Sequence, residues 1–175
     1  MKETVREAPG SGTLADRFRM WFAHERDCNA KIVQMLESVP ASRRGDPAFV
    51  KAREKATHIL EAREVWLQRM GRYADAPTSW ETPPAEVEDV PRRFAKMEAA
   101  WEAYLAGLDD AELSRRFEYD FLADARYRRD VETVLTQLNG HAWYHRGQIA
   151  TLVAGLGGKA IDTDYVFWRR GERVG

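Results

Sequence analysis

The segment His141-Ala-Trp-Tyr-His145-Arg-Gly-Gln148 places two of the chain's four histidines four residues apart. On a helix, side chains at that spacing project about 40° apart, so both rings can reach one point. His58 lies in another strongly helical segment, one residue before Ile59 and close to the inner face. Three imidazoles from two helices are the donor set of an open metal site. Neutral imidazole suits zinc, nickel, iron or copper, and three protein ligands leave a position for water or substrate. The competing reading is a pair of core histidines hydrogen-bonded to backbone or to acids, since each lost hydrogen bond costs about 1–3 kcal/mol. Both readings are open on spacing alone. A metalloprotease is not expected, because Ala142 stands where the HExxH glutamate would be.

Other residues near these histidines could share the chemistry. Gln148 follows His145 by three positions and is close to its face. It is the one candidate catalytic group, able to hydrogen-bond a metal-bound water or a ligand oxygen, or else a polar residue at the bundle edge. Arg146 points more outward and is expected to form a structural ion pair, with a substrate carboxylate as the other choice. Gly147 could let another helix or the tail approach closely. Glu61, one turn after His58, could act as a base or a fourth ligand, but reads first as a surface acid paired within its helix. His24 and Cys28 are also four apart. A cysteine–histidine pair can make an activated thiolate or a metal site, but free cysteine usually packs as a small hydrophobe, and that reading is taken for Cys28.

Four long helices must position these groups. The first is expected over Thr13 to Ser38, with Thr13 as N-cap and Asp16 as its acidic first-turn partner. Its candidate core residues include Phe18, Trp21, Phe22, Ile32, Met35 and Leu36. The second runs from Asp46 to Met70, stopped by Gly71. The third spans Val87 to Leu108, with Pro91 in a first turn where a missing N–H costs nothing. The fourth runs from Val131 to Leu156 and ends at Gly157-Gly158. On it Leu135, Leu138, His141, His145, Ile149, Leu152 and Leu156 recur at spacings of three and four, so the histidines lie on the apolar stripe. Between the third and fourth helices, Phe117-Glu-Tyr-Asp-Phe121 and Arg126-Tyr-Arg alternate with period two, which suggests a short β-hairpin or an extended excursion. The tail from Asp162 to Arg170 carries Tyr165, Phe167 and Trp168 and is expected to pack on the bundle. The fold expected is therefore all-α, a four-helix bundle over residues 13–175, preceded by a flexible segment of residues 1–12.

Bulk composition narrows the function. At 175 residues and 44 % apolar content, the chain can bury a substantial core. Lys+Arg is 27 and Asp+Glu is 28, so there is no basic excess of the kind that nucleic-acid binding needs. The short runs Arg43-Arg44, Arg92-Arg93 and Arg126 to Arg129 read as solvated faces. One cysteine forbids an internal disulfide and fits a reducing compartment. No apolar h-region opens the chain, and no apolar run approaches the roughly 20 residues of a membrane span. A cytoplasmic protein with neither a nucleic-acid nor a membrane partner is expected.

His141-x-x-x-His145-Arg-Gly-Gln148-Ile149, followed by Gly155-Leu-Gly and Thr163-Asp-Tyr, resembles the signature of the DinB-like (YfiT-like) metalloenzyme family. His58-Ile-Leu-x-Ala-x-x-x-Trp66-Leu looks like that family's second-helix pattern, and the aromatic start with Trp21 looks like its first helix. The likeness covers nearly the whole chain. It implies a four-helix bundle with a divalent metal (zinc, nickel, iron or manganese) held by His58, His141 and His145, in a protein that is often a homodimer. Members with known activity include thiol S-transferases, so the resemblance also implies a low-molecular-weight thiol co-substrate and a small electrophile. The readings beside it are a non-catalytic metal-stabilised bundle and a metal-dependent hydrolase. Where many members have His-x-x-Asn before the first motif histidine, this chain has Gln137-Leu-Asn139-Gly140, which leaves the three histidines intact.

Overall fold

Thr13 closes the first turn of helix α1 (Leu14–Glu37) with a reciprocal capping box: its side chain accepts from the Asp16 amide, and Asp16 accepts from the Thr13 amide. The computed structural model describes residues 12–73, 83–120 and 125–169. Asp46 caps α2 (Pro47–Arg69), with Pro47 in the first turn. Pro91 likewise sits in the first turn of α3 (Val90–Ala106). A five-residue helix, α4 (Asp110–Ser114), follows, started by the Asp109 side chain. Strands β1 (Arg116–Asp120) and β2 (Arg126–Asp130) pair antiparallel, with Tyr119 opposite Tyr127. The alternation in the sequence therefore does form a hairpin. Asp130 caps α5 (Val131–Gly155), and Gly157, at φ +80°, takes the left-handed conformation that turns the chain out of it. A final short helix, α6 (Tyr165–Arg169), lies in the aromatic tail.

The four long helices form a mostly-α bundle around one apolar core, with the hairpin as its small β element. Helix α1 packs on α3 and α5, and α2 packs on the same two, so the order around the bundle is α1, α5, α2, α3. The most extensive helix–helix contact is between α2 and α5, the two helices that carry the candidate ligands. Trp101 of α3 is fully buried and donates its indole N–H to the Arg63 carbonyl at 3.1 Å, tying α3 to α2. From Ala56 to Leu67, α2 is buried on nearly every side. His24 makes ring contacts with Tyr165 and Trp168, so the tail packs on the bundle. Residues 1–11, within the expected flexible segment, and residues 74–82 lie outside the described residues. Among the described residues no helix is long and apolar enough to cross a membrane.

Candidate metal centre

His58 projects from the middle of α2, and His141 and His145 project from successive turns of α5. Because these two helices adjoin, the three rings meet. His141 Nε2 is 3.0 Å from His58 Nε2 and 3.1 Å from His145 Nε2. The candidate ligand atoms of all three residues lie within 4.8 Å of one another. Ring centroids are 4.5 to 4.9 Å apart, edge to face. His145 is buried, while His58 and His141 are half-buried.

The donor set can be tested against a cation. Nitrogens bound to one ion at about 2.0–2.1 Å stand about 2.9–3.4 Å apart for bond angles between square and tetrahedral. The 3.0 and 3.1 Å separations fall in that window. Hydrogen bonding among the rings explains them less well. A neutral imidazole nitrogen carries either a proton or a lone pair, so His141 Nε2 cannot make two good linear bonds to two other ring nitrogens. A cation would receive a lone pair from each. Three clustered imidazoles that could hold a metal ion are thus a property of this fold.

Electrostatics keep the rings neutral, as a ligand must be. Burial lowers the pKa of all three. For His141 the displacement reaches about 4, by burial first and then by the charges that His145, His58 and Arg63 would present to an imidazolium. Gln148 works against burial at His145: its side-chain oxygen lies 2.8 Å from His145 Nδ1. Tyr144, exposed, packs its ring edge-on against His145 at 5.0 Å.

The remaining candidates fall differently. Gln148 contacts the His145 ring rather than standing apart at a bundle edge. Arg146 does not point outward. It is 2 % exposed, and among the described residues its Nε and Nη1 find no hydrogen-bond acceptor. It continues a buried row through Ala142, Ile149 and Val153, and that spacing could have placed it inside. Glu61 is not a surface acid. It is 2 % exposed and faces Arg93 of α3 at 3.9 Å, across an interhelical gap rather than along its own helix. Burial pushes its carboxyl up to about 7. Among the described residues nothing lies within 4 Å of where a Cβ on Gly147 would stand, so none of their elements approaches there. Cys28 is fully buried, with its sulfur 3.2 Å from His24 Nε2. The Thr163 carbonyl lies 3.0 Å from that same nitrogen, and burial raises the thiol to about 11.

One feature near the site carried no sequence signal. Glu25 of α1 and Arg63 of α2 form a buried, two-pronged ion pair, with the guanidinium over the rings of Trp101 and Phe22. Asn139, two residues before His141, lies 3.4 Å from the same guanidinium. The Gln137-to-Gly140 stretch that departs from the family pattern thus borders a buried charge pair.

The profile of the DinB superfamily matches residues 47–149, more than half of the chain and all three clustered histidines. The chain belongs to the DinB superfamily. Comparison with curated proteins and with solved structures found no match.

Proposed function

We propose that this protein is a metal-dependent thiol S-transferase acting on small electrophiles. The observation that carries the reading is the convergence of three neutral imidazole nitrogens, with no buried carboxylate found among them. A divalent ion held by His58, His141 and His145 would supply Lewis acidity at an open position and would favour the thiolate form of a thiol bound there. With their lone pairs committed as ligands, none of the three histidines would serve as a base, so the sulfhydryl proton would go to solvent. Transfer would form a carbon–sulfur bond from the sulfur electron pair as the leaving group departs with the displaced pair. The exposed ring of Tyr144, edge-on to His145, offers apolar surface to that electrophile. The same reading carries a homodimer in the reducing cytoplasm.

Metal content of the purified, tag-free protein by mass spectrometry tests this first, beside a His141→Ala, His145→Ala double variant. About one divalent ion per chain, lost in the variant, followed by saturable thiol binding to the loaded protein, is expected. A loaded protein that binds no thiol and turns over no electrophile would instead be a metal-stabilised bundle. Hydrolytic turnover without thiol would identify a hydrolase. Absence of metal after exposure to zinc, nickel, iron or manganese ends the reading.

A further inference from the structure

Gln148 lies one helical turn beyond His145, half-buried, with its side-chain oxygen 2.8 Å from His145 Nδ1. An amide oxygen only accepts hydrogen bonds, so the ring donates from Nδ1. A neutral imidazole with its proton on Nδ1 carries its lone pair on Nε2. That is the nitrogen turned toward His141 Nε2, 3.1 Å away, at the centre of the triad. In water the neutral histidine side chain prefers the opposite tautomer, with the proton on Nε2. Left to itself, the His145 ring would point an N–H at the other two histidines, where a cation needs a lone pair. The i, i+3 spacing on a regular helix makes the correction local.

We propose that Gln148 is a positioning residue: it locks His145 in the Nδ1–H tautomer and aims the Nε2 lone pair at the point shared with His58 and His141, and so sets the affinity for a divalent cation. It acts through His145 and touches neither substrate nor the reacting atoms. The cation half of the proposal rests on the metal reading above; the tautomer half does not.

Two variants separate the possibilities. Gln148→Glu keeps an acceptor on Nδ1 with nearly the same shape, whereas Gln148→Leu removes it. Thermal melts by circular dichroism establish that each variant is folded. The first readout is the ring nitrogen spectrum of His145 in metal-free protein at mildly alkaline pH. Wild type and Gln148→Glu should show a protonated Nδ1 and a bare Nε2, and Gln148→Leu should move toward the Nε2–H form. The second is zinc affinity by chelator competition. Gln148→Leu should bind about 10–100-fold more weakly, the range for losing a ligand's orienting partner, and Gln148→Glu should match or exceed wild type. A Gln148→Leu protein that keeps the Nδ1–H tautomer, or that binds zinc as tightly as wild type, overturns the proposal. If wild-type protein takes up no zinc, the affinity comparison is made with nickel, iron or manganese; uptake of none of the four ends the metal reading, while the nitrogen spectra still decide whether Gln148 holds the tautomer.

Discussion

Replacing Arg146 with methionine should stabilise this protein, although it deletes a charge from the core. Among the described residues, the interior between α1, α2 and α5 holds the carboxylate of Glu25 and the guanidinium groups of Arg63 and Arg146, which are 2, 3 and 2 % exposed. Both Glu25 oxygens are taken by Arg63, through Nε at 2.8 Å and through Nη2. Arg146 is left with two donors that have no acceptor among the described residues, and burial lowers its pKa against weaker support from Cys28 and Glu25. Each unmade hydrogen bond of this kind costs about 1–3 kcal/mol. Exchanging buried charges for apolar groups of similar volume is typically neutral or stabilising by about 1–4 kcal/mol. Methionine keeps most of the packed stem and loses the guanidinium, so a gain of about 1–3 kcal/mol is expected. Glu25→Ala should do the reverse. It strips Arg63 of its partner and should cost about 3–5 kcal/mol, the range for breaking a buried pair. In the double variant the Arg146→Met gain should grow, because two buried cations would otherwise face each other uncompensated. Urea unfolding followed by circular dichroism, with an unchanged slope, measures all three. A fall in the midpoint of Arg146→Met refutes the reasoning, since it would mean the guanidinium is paired.

Glu61→Gln tests the other misplaced charge. A folded-state pKa of about 7 against an ordinary 4.5 means that the folded protein keeps a proton the unfolded chain releases, so stability falls as pH rises between those values. The glutamine variant should therefore gain on wild type above pH 7 and show no advantage below 4.5, measured as urea midpoints at both ends; equal gains at both ends would point to packing instead. Glycine substitutions should split by sign. Gly147→Ala adds a methyl into open space inside a helix and should raise stability by about 0.5–1 kcal/mol. Gly157→Ala forces a side chain onto φ +80° and should lower it by about 1–2 kcal/mol, both read from thermal melts.

The fold was legible because its signals are local and redundant. Thr13 and Asp16, Pro47 and Pro91, and Gly157 each mark a helix end by a mechanism that acts within one turn. The hairpin followed from side-chain alternation at Phe117 and Tyr119. The convergence of His58 with His141 and His145 was legible for a related reason. The pair on α5 is fixed by helical spacing, and a bundle brings facing helices together. Interhelical pairing without periodicity was not legible. Glu25 and Arg63 come from different helices, and neither spacing nor composition links them.

Arg146 and Glu61 show where pattern reading loses its hold. Assigning a polar residue to the outside of a helix assumes that the helix has an outside. α2 lacks one between Ala56 and Leu67, where Thr57, Glu61, Arg63 and Glu64 are all buried beside the aliphatic residues. α5 is flanked by α1 and α2 together, so its buried surface takes in Arg146 as well as the stripe that carries His145. In an element packed from several sides, residue type no longer reports exposure, and polar groups are retained inside at a cost of kilocalories each. That cost falls within a turn or so of all three histidines: Glu61 follows His58, Arg146 follows His145, and Arg63 lowers the pKa of His141. Buried and incompletely paired charges thus lie beside the histidine cluster that could hold a cation, an arrangement expected where stability is given up for a site.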